Sequence, residues 1–147
     1  MNKNDVRKQV AEIQMQTFKM LDEMEENEAK FLTQSLGKIE QTAKHLMRDT
    51  ATNPQVSYGK REHHPSLPYN APAPDTGTLL QSITHSIEKT ENGKYKGEVG
   101  SILQNPDYPR FLEYGTSKMK PRPWLSTAVM KCQDWISQLF KELLGKK

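Results

Sequence analysis

The chain has a single cysteine, Cys132, among its 147 residues, so no disulfide can close within it. Cys132 falls inside a helical apolar pattern and is expected to act as a small buried hydrophobe. Proline is absent before Pro54, which removes the strongest helix breaker from that whole stretch. No run approaches the roughly 18 apolar residues of a membrane span. The opening MNKNDVRKQV also lacks the apolar centre of a secretion signal. The expectation is a protein made in the cytosol, with no membrane contact. Hydrophobic residues make up only 34% and aromatics 7%, with a mean hydropathy of −0.84. Such a chain builds a small core for its length, and partner subunits are expected to complete some of its apolar surface.

Charge of one sign is lacking as well. The net charge is +3. Residues 1–50 carry 8 Lys+Arg against 9 Asp+Glu, and the remainder 13 against 9. That excess is too diffuse to demand nucleic acid, although it suits a surface that faces DNA without gripping it.

Groupings that carry chemistry are missing too. Glu62-His63-His64 is the only histidine cluster, and neighbours in an extended segment point opposite ways, which makes poor metal geometry. No histidine pattern addresses Cys132, and there is neither a GxSxG elbow nor a phosphate-cradling glycine loop. The paired carboxylates of DEMEENEAK read as a solvated helix face. The expectation is no enzyme, no cofactor and no metal.

What is present falls into three segments of one domain. Residues 1–50 read as helix from about Asp5, a possible cap, to about residue 49. Val6, Val10, Ile13, Met20 and Met24 form one apolar set, and Leu32, Leu36, Ile39, Ala43 and Leu46 a second that steps by four and three, the heptad spacing of a seam for another helix. The acidic stretch between them leaves open one helix or two. Residues 51–77 hold five prolines and read as an extended, partly polyproline arm, neither helix nor central strand. It is expected to be mobile or extended over 52–74 until a neighbour orders it.

Residues 78–147 read as an α+β core. A short helical turn capped by Asp75 or Thr76 leads into an antiparallel hairpin around Asn92-Gly93. A short helix follows, ending at Gly115, and then an amphipathic helix with Pro123 in its first turn. The fold class is therefore α+β, with a long N-terminal helix, a proline-rich loop, a small antiparallel sheet and a C-terminal helix.

One segment admits two functions. Lys118, Lys120 and Arg122 stand two apart, so an extended backbone would project them from one side, flanked by Tyr114 and Trp124. That combination suits single-stranded nucleic acid. The alternative, which the position of Trp124 at a helix start favours, is that the aromatics pack inward and the cations stay in water.

Taken in order, APAPDTGTLLQSI, the hairpin and YPRFLEYGTSKMKPRPWLSTAV resemble the tail-component family of the head-to-tail joining module of long-tailed bacteriophages and prophages. Asp75, Thr76, Gly77, Leu79, Ser82 and Ile83 carry the first motif, and Tyr108, Glu113, Tyr114, Gly115 and Thr116 the second. Pro121, Pro123, Trp124 and Leu125 carry the third. Pro109 departs from the family, which has a small residue there. The likeness covers residues 65–132, about half the chain. It implies an α+β fold with the last helix packed on the small sheet, and a structural protein of the neck or tail-completion type, assembled in the host bacterial cytoplasm and carried in the virion. Copies would form a homo-oligomeric ring, of six or twelve, at the head-tail junction. They would meet head-closure or adaptor proteins on one side and tail-terminator or tail-tube proteins on the other, while DNA crosses the lumen without sequence recognition. Lys118, Lys120 and Arg122 would then face that DNA. The alternative is a small nucleic-acid-binding module using residues 118–122.

Overall fold

The computed structural model describes residues 2–50, 56–58, 61–63, 65–105 and 107–145. Its first element settles the helix question, because α1 runs unbroken from Lys3 to Arg48. At 1.5 Å per residue it is roughly 70 Å long. The cap is Asn2 rather than Asp5. The Asn2 side chain accepts from the Asn4 N–H at 2.6 Å, and Asp5, one turn inside, reaches back to the Asn2 N–H at 3.3 Å. This reciprocal box satisfies two of the donors a helix start leaves free.

The two apolar sets of α1 have different fates. Leu36, Ile39, Ala43 and Met47 are buried, while Val6, Val10, Ile13, Met20 and Met24 are exposed. The second half of α1 is the central element of the body, and the first half projects from it.

The proline-rich stretch, expected to hold neither helix nor central strand, contains a short two-stranded pair, β1 (Val56–Tyr58) and β2 (Arg61–His63), joined antiparallel. Prolines flank this pair without entering it, and neither strand is a central one. The described last part of 52–74, expected to be mobile or extended until a neighbour orders it, lies against the chain's own body. Ala71 lies in the core, the Tyr69 N–H reaches the Pro121 carbonyl at 2.8 Å, and Thr50 Oγ1 donates to the Ala71 carbonyl at 2.7 Å. Residues 51–55, 59–60 and 64 lie outside the described residues.

The helix α2 (Thr78–Ser82) leads directly into β3 (Ile83–Lys89), which pairs antiparallel with β4 (Tyr95–Ser101). In the connection, the Gly93 N–H donates to the Thr90 carbonyl and Gly93 takes φ +76°, the left-handed conformation such hairpins require. Odd-numbered residues of both strands face α1. There Gly97 lies opposite Ile87, and a Cβ at Gly97 would run into Leu36. The even-numbered face carries Glu88, Lys96 and Glu98, with the Lys96 ammonium 2.7 Å from Glu98. A lone hairpin is marginal in water, so its stability comes from the helix beneath it.

The helices α3 (Asp107–Tyr114) and α4 (Leu125–Leu143) complete the body. The expected packing of the last helix on the sheet is corrected: the principal partner of α4 is α1. Cys132 Sγ sits 3.3 Å from Thr42 Oγ1, and Phe140 meets Phe31 edge to face. Small residues at Ala128 and Cys132 let the two helices approach, and both are buried. One core joins α1, Ala71 of the arm, Ile83, Leu112 and Trp124, so residues from all three sequence segments share it.

Candidate functional site

The second and third motifs of the chain come together as an intramolecular clasp. The helix α3 ends at Gly115, which has φ +76° and donates its N–H to the Phe111 carbonyl. Any side chain there would also strike Met119 O and Pro121 at under 3 Å, so two independent constraints require glycine. Thr116 then folds the chain back. Its N–H reaches the Met119 carbonyl at 2.8 Å, and its Oγ1 accepts from Lys118 and Met119. The Arg122 N–H meets the Leu112 carbonyl at 2.6 Å, so the returning strand lies along α3.

Glu113 closes the clasp. The start of α4 offers no capping side chain, because Trp124 occupies the cap position and Pro123 precedes the helix rather than opening it. The Glu113 carboxylate supplies the cap instead. It accepts from the N–H groups of Trp124 and Leu125 at 2.8 and 2.9 Å, and of Ser126 at 3.0 Å. A negative charge at a helix N-terminus is favoured by the aligned peptide dipoles as well as by these hydrogen bonds. Burial pushes the Glu113 carboxyl pKa up. Hydrogen bonds from the Ser126 side chain and from the Leu125, Trp124 and Ser126 N–H groups outweigh that and hold it below its ordinary value.

Trp124 is 3% exposed, and its indole N–H donates to the Pro109 carbonyl at 3.1 Å. Pro109 therefore lies buried against the anchor, with its carbonyl in use. Outside, Tyr108, Phe111 and Tyr114 leave the opposite face of α3 apolar and exposed.

In the first motif the cap position of α2 is Gly77, at φ +80°, and the Thr76 Oγ1 just before it accepts from the Thr78 N–H at 3.4 Å. Thr76 Oγ1 touches Thr78 Oγ1 at 2.7 Å, and Leu79 is buried. Ser82 is a structural pin. Its hydroxyl lies 2.7 Å from both the Leu79 carbonyl and Ser101 Oγ, closing the open end of the hairpin.

The basic triplet does not form the single face an extended backbone would give. Lys118 sits in the Thr116–Met119 turn, and Lys120 Nζ lies 5.8 Å from the Tyr69 ring centroid. Arg122 turns into the body, where its Nε donates to the Ser66 carbonyl at 3.3 Å. Arg122, Ser66, Asp75, Tyr108 and Met119 line a cavity of about 370 Å³.

Two arrangements escaped the sequence. Glu40 on α1 receives Lys44 at 2.6 Å and His85 of β3 at 2.5 Å, which ties the hairpin to the helix. The hydrogen bond from Lys44, chief among its causes, holds the Glu40 carboxyl below its ordinary pKa. The capping role of Glu113 was also hidden, since the cap stands 11 residues upstream of the helix cap position. The available signal was negative: a helix starting at Pro-Trp-Leu has no local cap and must find one elsewhere.

Among the described residues, no group of three or more His, Cys, Asp or Glu is placed to hold a metal ion. None of the helices is long and apolar enough to cross a membrane. No family model, curated protein or solved structure matches the chain.

Proposed function

We infer that the chain is a structural subunit of the phage head-to-tail joining module, a neck or tail-completion protein that assembles as a ring in the virion. The observation that carries this reading is the clasp. Glu113, Gly115, Thr116, Pro121 and Trp124 converge on one task, fixing α4 rigidly against α3. Their polar groups are directed at backbone within the chain, where they set a shape, rather than at an open cleft where they would meet a substrate. A rigid subunit loses little conformational freedom when it docks, as repeated assembly demands. The exposed apolar stripe of α1 and the aromatic face of α3 offer surfaces for neighbours.

The nucleic-acid module draws on fewer residues than its spacing suggested, since Trp124 is buried and Arg122 is engaged by Ser66. In the ring reading, DNA passes the lumen without sequence recognition, and Lys118 and Lys120 are the cations of the triplet left to face it. Native mass spectrometry and electron microscopy of the purified chain, alone and mixed with the products of neighbouring genes, test the reading. Closed rings, or capture by portal-side or tail-tube proteins, support it. A monomer that binds none of these and grips short DNA with a steep salt dependence overturns it.

A further inference from the structure

The first half of α1 is a helix without a partner. The body begins at Glu25, whose carboxylate pairs with Lys89 at 3.1 Å, and before it Val6, Val10, Ile13, Met20 and Met24 are all exposed. With Thr17 these residues step by four and three without a fault, the a/d seam of a two-helix contact. The seam does not continue into the body-facing stripe. Eight residues, not seven, separate Met24 from Leu32, so the two faces differ by roughly a quarter turn at 3.6 residues per turn. The protein's own body leaves the seam uncovered. Helical segments of this length draw most of their stability from packing, which calls for a partner.

We propose that the seam is covered by the same segment of a second copy of the chain, running antiparallel. Antiparallel seams place an a residue against a d residue, and this sequence does so about a centre at residue 15. Val6 meets Met24 of the second copy, Val10 meets its Met20, and Ile13 meets its Thr17. Charge selects the direction. A parallel pair in register sets Glu23 of each copy against Glu28 of the other, two like-charge contacts. The antiparallel pair sets Glu23 against Gln9 and brings Arg7 and Lys8 alongside the carboxylate-rich stretch 22–28 of the second copy. The geometry also leaves room. The overlap of residues 6–24 spans about 27 Å, and the two bodies lie beyond its opposite ends.

Such a contact closes on two copies by its own two-fold axis. A ring needs a further, head-to-tail surface, so this inference and the proposed function fail separately. The test uses the full chain in two measurements. Sedimentation or light scattering is run over a hundredfold concentration range, for the protein and for Ile13→Asp combined with Met20→Asp. The expected result is a mass of two copies, or an even multiple, that falls at least twofold in the variant. Second, Gln16→Cys and Met20→Cys are oxidised separately, with buried Cys132 out of reach of the reagent. In the antiparallel register residue 16 flanks the two-fold axis on the same side as its own counterpart, so Gln16→Cys should couple into a covalent dimer and Met20→Cys, displaced from the axis, should not. A monomer throughout the range, a mass indifferent to the two aspartates, or coupling through Met20→Cys instead would overturn the proposal.

Discussion

At the scale of single residues, Glu113 and Trp124 carry most of the clasp. Replacing Glu113 by Ala removes an acceptor shared by three backbone donors, and losing a helix cap costs about 0.5–2 kcal/mol. Glu113→Gln keeps an acceptor of similar shape without the charge, so it should fall between the two in thermal melts at neutral pH. The folded pKa of Glu113 lies below its unfolded value. Its contribution is therefore complete above the ordinary carboxylate range and is lost as pH falls through the folded value. Wild type should lose that increment on acidification, while Glu113→Gln, having no proton to gain, should lose less over the same interval. Equal acid sensitivity of the two would show that the carboxylate contributes nothing as an ion. Trp124→Ala should cost about 3–5 kcal/mol, the range for emptying a buried aromatic site. Trp124→Phe separates packing from the bond to Pro109, and denaturant melts should place its cost nearer the 1 kcal/mol of a single hydrogen bond.

At the scale of elements, the sequence was most informative where a period repeats and least where one distant group decides. The heptad steps of α1 and α4 were legible because an apolar stripe every three or four residues has few other uses. Gly93 and Gly115 were legible as turn and helix end, since both take the left-handed backbone that glycine tolerates. The β1–β2 pair was not, because proline content averages over a stretch whereas pairing depends on a few residues between the prolines. Gly97 gave no sign of its role either, since the close approach of Leu36 belongs to tertiary packing. The one-sided face of the basic segment failed for the same reason, although the inward packing of Trp124 was legible: alternation predicts a shared face only if the backbone is extended, and Thr116 bends it. This correction has a measurable consequence. Lys118→Gln with Lys120→Gln should leave the melt within about 0.5 kcal/mol of wild type. Arg122→Gln should destabilise more than that pair, since it removes the donor to Ser66 and apolar stem packed beside the cavity. If the arginine variant is as neutral as the lysine pair, its inward bond contributes nothing to folding.

At the scale of the whole molecule, the body carries a projecting helix half, and apolar surface is exposed there and on α3. Exposed apolar patches of this kind are what the proposed assembly role would use. The relation to DNA gives the sharpest division. If residues 118–122 clamp a nucleic acid, each phosphate neutralised contributes about 0.9 to the slope of log K against log salt. Removing Lys118 and Lys120 should then flatten the slope by nearly two. If DNA merely passes through a ring, the free protein should bind a short duplex weakly and the same double variant should shift the slope by much less than one. Its assembly state should also be unchanged, because Lys118 enters the clasp through its backbone N–H alone and neither lysine lies in the seam of α1. Fluorescence anisotropy of a labelled duplex across a salt series, beside native mass spectrometry of the same preparations, measures both quantities. A loss of nearly two from the slope with assembly intact would move the function of this segment from architecture to DNA contact.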